Sequence, residues 1–169
     1  MSSLADSLMQ TVQLQPLTAG HFTEALEVFK NSGWDDDSLL YLQAEMKAFL
    51  QGDILGYIRA RFIVATLDDH VIGVAAWAPS MCSFAVYELS WATVSPAWRH
   101  RGINTMLVQE RLKQIRLQHG SGPFTAIVYT WNNPMYAGLG FSCSNAGELR
   151  PGNGKEKELL MARFAAEKV

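Results

Sequence analysis

The sequence predicts a single α/β domain built on a mixed sheet, in the order β-α-α-β-β-β-α-β-α-β-β, and three observations carry that prediction. Short apolar runs of β-type residues alternate with segments whose apolar residues recur at helical spacing. The breaks between them are rich in Gly, Pro, Asn and Asp, which punctuate elements rather than continue them. At 169 residues and 49% hydrophobic, the chain is long enough to bury one core and short for two.

Taken in order, residues 12–17 alternate apolar and polar side chains and read as a first strand. Phe22, Ala25, Leu26 and Phe29 then fall on one helical face, and Asn31-Ser32-Gly33 stops that helix. Leu39, Leu42, Met46, Phe49 and Leu50 share the face of a second helix, preceded by Trp34 and three aspartates. Asp35, Asp36 and Asp37 have two readings: they cap and charge-complement the helix start, or they attract a cationic substrate. Residues 61–67 and 71–77 are apolar β-type runs joined at Asp68-Asp69-His70, a hairpin pattern, with His70 as a turn residue and Pro79 ending the later strand.

Residues 84–94 form a further strand, closed by Ser95-Pro96. A short basic turn with Gly102 follows, and Val108, Leu112 and Ile115 give a helix over about residues 104–118. His119-Gly120-Ser121-Gly122-Pro123 breaks it, and residues 124–130 are a nearly unbroken apolar run suited to a buried central strand. Asn133 as N-cap with Pro134 at the first helical position starts a brief helix that ends near Gly138 to Gly140. Residues 141–144 and 158–164 read as two last strands, joined by the polar loop 147–157.

Composition narrows the function classes. With 14 Lys+Arg against 16 Asp+Glu, no bulk field recruits nucleic acid or an anionic membrane. Cys82 and Cys143 lack any metal-ligand spacing, so the expectation is two ordinary buried or half-buried thiols, no zinc site and no disulfide framework. With neither a leader pattern nor an 18-residue apolar stretch, the expectation is a soluble, cytoplasmic protein.

The stretch with most chemistry is the strand–turn–helix around Gly102. A turn that opens a helix presents backbone N–H groups with no intrahelical partner, and the helix dipole adds partial positive charge there. The N–H groups of Arg101, Gly102, Ile103, Asn104 and Thr105 can receive phosphate oxygens, Gly102 allows close approach, and Arg99 or Arg101 adds charge. The alternative is a solvated basic turn capping an ordinary helix.

Val94-Ser95-Pro96-Ala97-Trp98-Arg99-His100-Arg101-Gly102-Ile103-Asn104, preceded by Glu88-Leu89 and followed by Tyr136-Ala137-Gly138-Leu139-Gly140-Phe141, resembles the GNAT superfamily of acyl-CoA-dependent N-acyltransferases. The element order agrees along nearly the whole chain. The resemblance implies a mostly antiparallel sheet of about seven strands with four helices, and transfer of an acetyl group from acetyl-CoA to a primary amine of a small molecule or peptide. It also implies that the Val94 to Asn104 segment binds pyrophosphate, that Val94 pairs with the pantetheine arm, and that Asn132, Asn133 and Tyr136 lie beside the cofactor. By the same resemblance the N–H of Ala92 meets the oxyanion, Glu88 acts as general base, directly or through water, and homodimerisation is plausible. Two departures stand out: Asn104 occupies a position where the family usually has Gly or Ala, and Asn132 and Asn133 lie closer to Tyr136 than the family's usual Asn does.

Each assignment has a plainer counterpart. Glu88 stands among Val86, Tyr87, Leu89 and Trp91, where a carboxylate is costly to bury without purpose, but it can also be a paired or solvated sheet-face residue. Tyr136 can donate its phenolic proton to the departing thiolate, or be a core aromatic whose hydroxyl reaches the surface. Trp34, Trp77, Tyr87 and Trp91, with the loop 150–157, can line an acceptor pocket or serve as core. No Gly-x-Gly-x-x-Gly opens an early βαβ unit, which argues against a dinucleotide fold. A non-catalytic acyl-CoA-binding sensor or scaffold remains the alternative function.

Overall fold

The computed structural model describes residues 12–52, 60–81, 83–143 and 158–166. Cys82 and the loop 147–157, with Arg150 to Gly154, lie outside the described residues, as does the side chain of Cys143. The elements are β1 (Gln13–Pro16), α1 (Phe22–Lys30), α2 (Asp36–Leu50), β2 (Arg61–Leu67), β3 (His70–Pro79), β4 (Val86–Val94), α3 (Ile103–His119), β5 (Phe124–Thr130), α4 (Asn133–Ala137), β6 (Ser142–Cys143) and β7 (Glu158–Phe164), with 3-10 turns at Ala19–His21 and Pro96–Trp98. The strands follow the order β1-β2-β3-β4-β5-β7-β6. This is a mixed α/β fold in which β4 and β5 run parallel and the other pairs whose register is resolved are antiparallel.

The described residues divide into two compact units, those within 1–77 with 91–111, and those within 78–90 with 112–169. In the first, β1 pairs with β2 and β2 with β3. Asp68 and Asp69 turn the hairpin with φ of 49° and 64°. Two successive left-handed residues match the twist of the flanking strands, and Asp tolerates that conformation. On one face of these strands, Ala25, Val28 and Phe29 of α1 and Leu42 and Met46 of α2 bury against Phe62, Val64, Val74 and Ala76. Gly33, at φ 82°, ends α1, and Asp35 caps α2 by accepting from the Ser38 N–H at 2.8 Å. The capping reading therefore holds for Asp35.

On the opposite face β3 carries Gly73 and Ala75, small enough for α3 to come close. A Cβ on Gly73 would meet Leu107 Cδ1 at 3.2 Å and Ile103 Cγ2 at 3.4 Å. Arg111, fully buried, fixes the same approach by donating from Nη1 to the Ala76 carbonyl at 3.1 Å.

In the second unit, β5 lies between β4 and β7. Its burial alternates, with Phe124, Ala126 and Val128 buried and Tyr129 exposed. A strand expected to be covered on both sides thus leaves part of one face to solvent. Aromatic rings run Tyr87, Phe124, Phe164, Phe141, Tyr136, with successive centroids 4.7–6.4 Å apart. The Tyr87 hydroxyl meets His119 Nδ1 at 3.1 Å, and Arg116 donates to the Gly122 and Ala165 carbonyls.

Several boundaries move against expectation: His70 is the first residue of β3 rather than a turn residue, β4 begins at Val86 with Phe84 and Ala85 in a turn before it, and α4 starts one residue early. Asn132, not Asn133, is the N-cap of α4, and Pro134 stands second in the helix. The Thr130 hydroxyl accepts the Asn132 N–H at 3.0 Å, which starts the turn one residue earlier. Pro at the second position costs no helical bond, because the first N–H groups have no intrahelical partner anyway.

Candidate functional site

The first unit holds the end of β4, the basic turn and the start of α3. Trp91 has φ 45°, a left-handed conformation that is unusual for a bulky aromatic. The buried-exposed alternation of Tyr87, Glu88 and Leu89 is lost after it, since Thr93 and Val94 are both buried. A left-handed residue inside a strand locally disrupts the ladder and redirects the next backbone groups, as a β-bulge does. Ala92, half-buried, is the next residue.

Beyond Val94 the chain is held by its own backbone. The Ser95 N–H donates to the Ile72 carbonyl at 2.9 Å and the Trp98 N–H to the Ser95 carbonyl at 2.8 Å. Arg99 folds back, its Nε donating to the Val94 carbonyl at 3.1 Å, so part of its function is to close the turn. Arg101 lies over the Trp98 ring at 5.0 Å, a cation–π contact that restrains an exposed side chain.

His100 and Gly102, with φ of 61° and 80°, flank Arg101. Positive φ on both sides of Arg101 marks a tight turn, and successive N–H groups in such a turn can face one concavity, as in an anion-binding nest. The Met106 N–H closes the first helical bond on the Gly102 carbonyl at 3.1 Å, placing Ile103, Asn104 and Thr105 in the first turn of α3. Ile103, 1% exposed, pins that turn to the strands, while Asn104 and Thr105 are half-exposed. Residues 101–105 are therefore contiguous, with Arg101 and Gly102 exposed and Ile103 holding the turn from beneath.

The same unit contains an aromatic group that the sequence suggested only in part. Trp34 and Trp91 lie 5.5 Å apart at 42°, and each packs edge-on to Phe29, at 5.3 and 6.3 Å. The Trp91 indole donates to Glu45 Oε2 at 2.7 Å. Burial raises the Glu45 carboxyl above its ordinary pKa, and the indole hydrogen bond opposes part of that rise. Glu45 went unmarked in the sequence; its position between Leu42 and Met46, on the border of an apolar stripe, is the signal that could have found it. Trp77 is buried at 5% exposure, as core.

In the second unit Glu88 is exposed, between buried Tyr87 and Leu89 and opposite Ile127 of β5. Being exposed, it bears no cost of burial. Tyr136 is 2% exposed, at the end of α4. Gly140, at φ 86°, folds the chain back so that the Phe141 N–H donates to the Tyr136 carbonyl at 3.1 Å and the two rings meet at 5.3 Å and 75°. Asn132 is exposed, Asn133 heads the helix, and Tyr87 is buried against Phe124 and His119. Among the described residues no three His, Cys, Asp or Glu converge as metal ligands, and no helix is long and apolar enough to cross a membrane.

Solved structures share this fold. A GNAT-family protein from Desulfovibrio desulfuricans superposes with TM-score 0.73 at 20% identity, covering 91% of this chain and 98% of its own. The PaiA N-acetyltransferase of Thermoplasma acidophilum, solved in complex with coenzyme A, gives 0.63 at 15% identity, with coverage of 90% and 99%. A GNAT-family acetyltransferase from Elizabethkingia anophelis with acetyl-CoA bound gives 0.60 at 15%, covering 91% and 99%. Among curated proteins none matches the chain by sequence. The acetyltransferase (GNAT) domain family matches residues 58–143, just over half of the 169, from before β2 through the nest-like turn to the Tyr136–Phe141 return. The chain belongs to the GNAT acetyltransferase family.

Proposed function

We propose that this acetyltransferase moves an acetyl group from acetyl-CoA to a primary amine of a small molecule or peptide, by direct attack of the amine nitrogen on the thioester carbonyl. The observation that carries the reading is the alternating left-handed turn at His100 and Gly102 opening α3. It offers a pyrophosphate several N–H groups and a helix dipole without requiring any lysine. Acetyl-CoA is the donor that the coenzyme A and acetyl-CoA complexes of similar folds support.

In this reading the N–H groups of Arg101 to Thr105 hold the pyrophosphate, and Arg101, restrained over Trp98, adds charge. Asn104 fits the family's small-residue position through its backbone, since a first-turn N–H serves whatever the side chain. Val94 continues to the pantetheine arm through its N–H, its carbonyl being taken by Arg99. The kink at Trp91 leaves the Ala92 N–H to meet the carbonyl oxygen as it gains charge, a donor placed in advance of the reaction.

For the second unit the resemblance supplies the roles. Glu88, exposed and so able to exchange protons with solvent, takes the proton lost by the amine, directly or through water. Tyr136 returns a proton to the sulfur as the carbon–sulfur bond breaks, and Asn132 and Asn133 contact the cofactor at the head of α4. One amine and one thioester thus give one amide and one free thiol. The protein acts as a soluble, cytoplasmic transferase on an amine.

Free-thiol release from acetyl-CoA, measured across polyamines, amino acids, aminoglycosides, arylalkylamines and peptide N-termini, tests the reading. The expected result is at least one amine that yields thiol and acetylated product in equal amounts. Thiol release no faster than background hydrolysis with every class, while acetyl-CoA still binds, would favour the non-catalytic sensor instead.

A further inference from the structure

Glu45 is a carboxylate for which the acetyl-transfer reading has no use. It is half-buried on α2, between the fully buried Leu42 and Met46. Its Oε2 accepts from the Trp91 indole, and among the described residues no Lys, Arg or His pairs with it. A carboxylate drawn into apolar surroundings with only a neutral donor lacks the cation that ordinarily offsets its lost hydration. The direction of its pKa agrees, since burial is the leading cause and no cation opposes it.

Its surroundings say what kind of cation fits. Trp91 and Trp34 are both only partly buried, their rings tilted 42° to each other, and the Trp91 indole is held by Glu45. Asp35, the nearest aspartate in sequence to Trp34, is occupied with the Ser38 N–H and hydroxyl. One carboxylate beside two indoles suits one ammonium on an apolar body, whereas a polyamine calls for several acids. Trp91 also precedes Ala92, so the residue that holds Glu45 is the one whose left-handed backbone sets the next N–H.

We propose that Glu45 is the specificity-determining residue for the acceptor, receiving its ammonium, and that the acceptor class is a primary amine carried on an aromatic body that stacks against Trp34 and Trp91. This rests on the acetyl-transfer reading and names the acceptor for it. The free oxygen of Glu45 takes the hydrogen bond from the ammonium, while Oε2 keeps the indole. The rings add apolar burial and a cation–π term.

The test reads binding rather than turnover. In 15N-labelled protein, the Trp91 indole signal is the one of five lost in Trp91→Phe, and it is followed during titration with phenethylamine and with 2-phenylethanol, the same body without the charge. The expected result is a saturable shift with the amine and ~10-fold or weaker binding of the alcohol. Glu45→Gln keeps an acceptor for the indole but removes the charge. It should weaken the amine by ~10-fold or more, with acetyl-CoA affinity and the other indole signals unchanged. Equal binding of amine and alcohol, an unaffected Glu45→Gln, or no shift at millimolar phenethylamine would each overturn the proposal. Loss of thiol release with this binding intact would instead overturn acetyl transfer.

Discussion

The two halves of β4 belong to one strand and behave differently. From Val86 to Leu89 the strand is regular, paired in parallel with β5, with Tyr87 and Leu89 buried and Glu88 exposed between them. From Trp91 the period fails, because a left-handed aromatic shifts the faces and Thr93 and Val94 are both buried. The first half displays side chains in strict alternation, so in the proposed reading it contributes a carboxylate. The second half gives up alternation, so in the proposed reading it contributes backbone N–H groups that continue into the turn and α3. An αL residue without a glycine costs of order 1–3 kcal/mol, and the indole bond to Glu45 with the Phe29 and Trp34 packing is what holds Trp91 there.

Substitutions that break one half and spare the other sharpen the comparison. The largest expected effect is Trp91→Ala, which removes the rings' packing and the indole bond and should destabilise by about 3 kcal/mol in urea unfolding. A loss below about 0.5 kcal/mol would mean the kink does not depend on that packing. Glu88→Gln, in the regular half, should leave unfolding unchanged and lower kcat by ~100-fold, the low end for a positioned general base. Acetyl-CoA affinity should hold, and an unchanged kcat would remove Glu88 from the chemistry. Gly73→Ala presses a methyl against Leu107 and Ile103 beneath the α3 start. It should cost about 1 kcal/mol and weaken acetyl-CoA more than it weakens an amine; equal weakening of both would detach the helix start from phosphate binding.

The smallest effect is a pH dependence. Burial raises the folded-state pKa of Glu45, so its contribution to stability is fully present below the unfolded pKa and is lost as pH rises through the folded one. Glu45→Gln has no such loss. Its melting temperature relative to wild type should rise by about 1–2 °C between acid and neutral pH, and a difference constant with pH would contradict the burial argument.

Much of this was legible in the sequence because most elements carry their own period. The bounds of β5 and β7 agree with the apolar runs at residues 124–130 and 158–164, and α1 and α2 follow their apolar stripes. The turn before α3 was legible because Gly102 and its basic neighbours stand within a few positions of one another. Trp91 was named as an aromatic, but its backbone was not readable, since tryptophan locally disfavours the left-handed region and only the Glu45 hydrogen bond and the packing from Phe29 and Trp34 select it. Glu45 was missed for a similar reason: a glutamate on a helix is ordinary until an indole 46 positions away donates to it. The α4 start slipped by one residue because Asn132 and Asn133 are equal as caps, and the Thr130 hydroxyl decides between them.

The central claim is that the left-handed turn before α3 is where acetyl-CoA is held, and calorimetric titration of wild type and Gly102→Val tests it most directly. Valine at φ 80° is strained and fills the space a phosphate would approach. The account predicts one acetyl-CoA site per chain in wild type and affinity ~10-fold or more weaker in the variant, with the melting transition still cooperative. No heat of binding at millimolar acetyl-CoA, or equal affinity in the two proteins, would contradict it.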